Sequence, residues 1–132
     1  MRMIRLASRI RHAVIDTQHT ADMLLACLAI ATGIWLLVPG WAVERYPRVS
    51  VQMAVVWPIC VWGALFAANG ACAACGIIAH RIGAVVFSHL FGFGLWLFLG
   101  GILTFRSVPL PEGFLCAVIG IFCGIRLAQI PD

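Results

Sequence analysis

Apolar residues in this chain do not alternate with polar ones; they collect into four runs, Met23 to Pro39, Pro58 to Ala79, Ile82 to Phe105 and Phe114 to Ile130, parted by short polar breaks. A helix needs about 20 apolar residues to cross ~30 Å of hydrocarbon, and each run meets or approaches that length. The pattern predicts an all-α, polytopic membrane protein with four transmembrane helices, the membrane domain covering residues 21–132. Residues 1–20 follow a different rhythm. Arg2, Arg5, Arg9, His12, Asp16 and His19 recur at steps of three and four, with Met3, Leu6, Ile10 and Val14 on an adjacent face. That spacing predicts a basic amphipathic helix lying on the membrane surface, with Arg2, Arg5, Arg9 and Arg11 near anionic lipid headgroups at about 1 kcal/mol each. The same residues also serve as a plain topology signal or as a docking arm for a partner. Four arginines with no aromatic residue among them give no nucleic-acid signature, and no specific nucleic acid binding is expected.

Composition sharpens this picture. A hydrophobic fraction of 63% and a mean hydropathy of +1.03 leave no room for a soluble domain, so function belongs in the bilayer, at its two faces, or between subunits. All nine basic residues are arginine. Arg2, Arg5, Arg9, Arg11, Arg81 and Arg126 fall on one side of the predicted spans, and Arg45, Arg48 and Arg106 on the other. The positive-inside bias therefore places both termini in the cytoplasm. No small-residue cleavage site follows the first run before Pro39-Gly40, so a removed secretory signal is not expected and Met1 reads as the start of the mature chain. On the outer side, Trp35 and Trp41 suit the interface, and Pro39-Gly40 stops the first helix. Val49 to Trp57 has the makings of a short helix along the membrane before Pro58 opens the second span, with Trp57 and Trp62 as outer anchors.

Two spans carry rows of small residues. Gly63, Ala67, Ala71, Cys75 and Ala79 recur every four residues, with Ala64, Ala68, Cys72 and Gly76 beside them; the last span repeats the device with Cys116, Gly120, Gly124 and Ala128. Lipid gives apolar helices no hydrophobic reason to associate, so close backbone approach along such seams drives packing in membranes. The seams are open to two uses, contact within the four-helix bundle and contact with a second subunit.

The remaining chemistry is sparse. Cys27, Cys60, Cys116 and Cys123 sit singly in spans, where cysteine acts as a small hydrophobe. Cys72-Ala73-Ala74-Cys75 has the CxxC spacing of redox and soft-metal sites, and His80 and His89 are the histidines available to complete a metal site across two helices. In hydrocarbon a thiol is held in its neutral, unreactive form, so these cysteines are read first as packing residues, with thiol redox or metal handling through Cys72, Cys75 and His80 as the alternative. Asp22 and Arg126 lie near the cytoplasmic ends of the first and last spans and are expected to meet as an intramembrane polar pair. His89 reads as an isolated, hydrogen-bonded structural histidine. No cofactor and no enzymatic activity are expected.

The order of landmarks also carries a resemblance. Ala21-Asp22-Met23-Leu24-Leu25, Gly33-Ile34-Trp35-Leu36-Leu37-Val38-Pro39-Gly40, Trp57, Trp62-Gly63-Ala64-Leu65-Phe66, Leu95-Trp96-Leu97-Phe98-Leu99 and Arg126 resemble small four-helix inner-membrane proteins of tailed bacteriophages and prophages over about residues 20 to 128. Members of that family usually carry several arginines between spans two and three, where this chain has only His80-Arg81, and are seldom rich in cysteine. The resemblance implies a non-enzymatic, phage-type protein of the bacterial inner membrane, a homo-oligomer or a subunit of a membrane assembly. It implies a holin-like, superinfection-exclusion or membrane-anchor role.

Overall fold

The computed structural model describes the backbone of residues 2–105 and 111–129 and the side chains of residues 19–105 and 112–129. Within these the chain forms six helices: α1 (Arg2–Leu37), α2 (Trp41–Arg45), α3 (Pro47–Ala54), α4 (Ile59–Ile78), α5 (Ile82–Phe105) and α6 (Pro111–Ala128). The side chains of Arg2, Arg5, Arg9 and Arg11 lie outside the described residues, as do Arg106 and the Ile130 end of the last apolar run. Residues 2–19 are helical, and α1 runs through residue 20 into the first apolar run without a break.

Among the described residues three helices are long and apolar enough to cross a membrane: the His19–Leu37 part of α1, α4 and α5. The distribution of side chains agrees with a lipid surround. Large apolar residues point away from the bundle, among them Leu24, Ile34, Phe87, Leu90, Phe114 and Phe122. The buried positions include Asp22, Asn69, Ser88, His89 and Arg126. A water-soluble protein rarely exposes apolar surface on this scale, whereas in hydrocarbon the costly groups are the polar ones, which turn inward.

The four long helices pack as two close pairs, α1 with α4 and α5 with α6, joined by α4 against α5. Small residues make the close pairs possible. A Cβ added to Gly70 of α4 would lie 2.6 Å from the Ala26 carbonyl oxygen of α1. One added to Gly100 of α5 would lie 2.9 Å from both the Ala117 nitrogen and the Gly113 oxygen of α6. At these crossings backbone meets backbone, which is what small residues permit in membranes.

The seam predicted on α4 is corrected by this geometry. Gly63 is buried and Ala67 half-buried against α1, but Ala71 and Cys75 point away from the bundle. A residue advances 100° around an α-helix, so a strict four-residue row turns 40° at each step and leaves the face it started on. The contact face follows Gly63, Phe66, Gly70, Ala73 and Gly76 instead, all buried. On α6, Cys116 and Gly120 are buried and Gly124 is half-buried, facing α5; Gly120 and Gly124 receive the Leu97 and Phe93 side chains.

At the end away from the α4–α5 turn, two short helices replace the single one expected over Val49 to Trp57. Pro47 opens α3 at its first turn, where its fixed φ suits a helix start. Ser50 Oγ donates to the Ala42 carbonyl at 2.7 Å and ties α3 to α2. Trp62 is no surface anchor. It is fully buried, donating its indole N–H to the Met53 carbonyl at 3.1 Å, and Trp57 and Phe98 pack beside it.

Candidate functional site

Three buried polar residues from three helices converge at one level of the bundle. Asp22 of α1 is 7% exposed, His89 of α5 3% and Arg126 of α6 8%, so an unpaired charge here would be heavily penalised. Arg126 Nε donates to Asp22 Oδ1 at 2.8 Å and a second guanidinium nitrogen donates to Oδ2 at 3.1 Å, a two-point grip that suits the planar fork of arginine. His89 Nε2 lies 3.1 Å from the same Oδ1. A third Arg126 nitrogen donates to Gln129 Oε1 at 2.7 Å. Three helices are thereby joined through one carboxylate.

Sequence reasoning placed Asp22 and Arg126 near one another but left His89 isolated. The structure gives His89 a partner, since the Asp22 carboxylate reaches inward to α5. The one signal for this was the Ser88-His89 pair, two adjacent polar residues in the first half of an apolar span. Ser88 leads to a second polar group: its hydroxyl lies 3.0 Å from both the Asn69 carbonyl oxygen and Asn69 Oδ1, so its hydrogen is shared between them. Gly92 clears space for this contact, since a Cβ there would stand 3.0 Å from Asn69 Nδ2.

A cleft of about 300 Å³ opens onto Asp22 and Arg126 from the α4–α5 turn, bordered by His19, His80, Arg81 and Gln129. The turn has a definite build. His80 adopts φ 51°, the left-handed region, with the Arg81 N–H on the Gly76 carbonyl at 2.8 Å and the His80 N–H on the Ile77 carbonyl at 3.2 Å. This is the Schellman ending of a helix, with histidine where glycine is usual. It turns the chain sharply and sets His80 and Arg81 at the mouth of the cleft.

The CxxC pair is not assembled into a comparable centre. Cys72 is half-buried with its thiol 3.9 Å from the Ala84 carbonyl oxygen, and Cys75 faces outward. Among the described residues no three His, Cys, Asp or Glu side chains converge as metal ligands. His80 borders the cleft, and Cys72 and Cys75 do not.

Comparison with known protein families, characterised proteins and solved structures gives no match.

Proposed function

We infer that this chain is a four-pass, non-enzymatic protein of the bacterial inner membrane that works by associating with copies of itself. In this reading α6 is the fourth span, its 18 residues covering about 27 Å. The arginine asymmetry sets the α4–α5 turn and both termini on the cytoplasmic side, where the basic start of α1 continues the first span out of the membrane instead of lying along its surface as the spacing of residues 1–20 predicts. The roles open to such a protein are those of the phage-type class: a holin-like lesion former, an exclusion factor, or a membrane anchor.

One observation carries the reading. Cys60, Ala64, Ala68, Ala71 and Cys75 form an outward-facing row at helical steps of four, four, three and four along nearly the whole of α4. The small residues needed to pack α4 on α1 are a different set and are already occupied. A long row of small side chains turned towards lipid forgoes apolar contact that larger residues would make, and it leaves a surface on which a second helix can approach closely.

The native thiols make this testable. In a twofold dimer with its axis along the membrane normal, each residue of the row faces its own copy, so Cys60 meets Cys60 and Cys75 meets Cys75. Mild oxidation in nanodiscs should give a disulfide-linked dimer through these two positions. Ala68→Leu should reduce it at least about tenfold through overlap at the contact while leaving the thermal stability of the single chain unchanged. A protein that stays monomeric at all protein-to-lipid ratios and gives no crosslink sinks the reading. A holin-like role predicts in addition that expression collapses the membrane potential of a bacterial host and that Ala68→Leu relieves it.

A further inference from the structure

A second cavity, distant from the Asp22 cleft, lies between α1, α3, α5 and α6. Its volume is about 300 Å³, at the lower end of the range for small-molecule sites. Trp35 and Tyr46 stand at one end with their rings edge to face at 5.6 Å, and Glu112 joins them there. Leu28, Trp96 and Ile119 line the other end. Seven residues of α6 separate Glu112 from Ile119, about 10 Å of helix, so the cavity is elongated, with a polar end and an apolar one.

The carboxylate is the informative group. Glu112 Oε2 is buried and has no hydrogen-bond donor among the described residues. Its place in the first turn of α6 favours a negative charge, but the helix dipole supplies no donor to that oxygen. Buried carboxylate oxygens are normally satisfied, and one left open beside a cavity marks where a donor belongs. The rings beside it narrow the choice, because aromatic faces attract cations and form the recognised cages for ammonium groups.

We propose that this cavity binds an amphiphilic amine, its ammonium group donating to Glu112 Oε2 between Trp35 and Tyr46 and an apolar tail extending towards Trp96. The carboxylate selects a cation over an anion. The ammonium supplies donors that a neutral alcohol of equal length supplies only weakly and without charge. The apolar far end, lined by Leu28, Trp96 and Ile119, takes the tail. The same ammonium chemistry occurs on a free amine and on the headgroup of an aminophospholipid, and the two sources are separable.

The experiment uses the full chain in nanodiscs of phosphatidylglycerol, which carry no lipid cation, with hexylamine and hexanol as matched probes and empty discs as background. Saturable hexylamine binding above background is expected, with hexanol at least about tenfold weaker; Glu112→Gln should weaken hexylamine about tenfold or more and leave hexanol unchanged. Equal binding of the two probes, or hexylamine binding indifferent to Glu112→Gln, overturns the proposal. A measurement on the unaltered protein guards against a variant that fails to fold. Cys116 lines the same cavity, one turn from Glu112. Hexylamine should slow alkylation of Cys116, read by site-resolved mass spectrometry, several-fold more than hexanol does. Unprotected Cys116 overturns the proposal. Adding phosphatidylethanolamine to the discs distinguishes the sources: competition with hexylamine assigns the site to the lipid headgroup, and its absence assigns it to a free amine.

Discussion

The two ends of this bundle are held together by opposite means. At the α4–α5 end, α1, α5 and α6 meet through a single carboxylate, Asp22, gripped by Arg126 and touched by His89. At the other end the helices are held by shape. Trp62, Phe66, Met53 and Leu103 are almost wholly buried, Phe66 and Trp96 pack with ring centroids 4.5 Å apart, and α2 and α3 fold over the mouth. Water would screen the first device and drive the second. In hydrocarbon these roles change: apolar packing gains nothing over lipid except close fit, and a charge pair has no solvent to which its partners can escape. The polar end therefore fixes which helices are neighbours, and the apolar end fixes how closely they lie.

The largest predicted effect follows from that contrast. Asp22→Ala leaves the Arg126 guanidinium buried without its carboxylate and should cost about 3–5 kcal/mol, measured by unfolding of the purified protein in mixed micelles. Adding Arg126→Leu to it should recover a large part of the loss, because the cost lies in the orphaned charge more than in the missing pair. A double variant no more stable than Asp22→Ala alone would mean that the pair contributes through something other than mutual neutralisation.

A smaller effect is expected between the two ends. Gly70→Leu drives a side chain into the Ala26 carbonyl and the Ile30 side chain and should cost about 1–3 kcal/mol, separating α1 from α4. Ala71→Leu, one residue on, points away from the bundle and should leave stability nearly unchanged. Equal losses in both variants would show that α4 is turned differently against α1.

The smallest effect belongs to the shape-held end. Trp62→Phe removes the indole N–H donated to Met53, but that carbonyl keeps the Val56 and Trp57 N–H groups at 3.2 and 3.3 Å. The lost donor should cost about 1 kcal/mol by the same unfolding measurement, and the space left by the smaller ring adds to it. A loss as large as that of Asp22→Ala would erase the contrast between the ends.

The arrangement of apolar runs in the sequence determined the class of this protein and the approximate extent of its long helices, because lipid accepts only backbone that satisfies its own hydrogen bonds and helices long enough to cross. Asp22 and Arg126 were legible for a related reason: few charges enter a span, and opposite ones at one end have little choice of partner. Three things were decided only by tertiary structure. Rotation of helix α4 by 40° at each four-residue step divided one small-residue row into an inner part at Gly63 and Ala67 and an outer part at Ala71 and Cys75. Assembly of the bundle brought Asp22 of α1 within reach of His89 of α5, 67 residues away. Folding of α3 over the bundle took Trp62 out of the interface and placed Tyr46 beside Trp35, forming one end of a cavity with Glu112 that no local pattern announces. Each depends on where a helix face points once its neighbours are in place, and periodicity alone fixes a face only relative to its own axis.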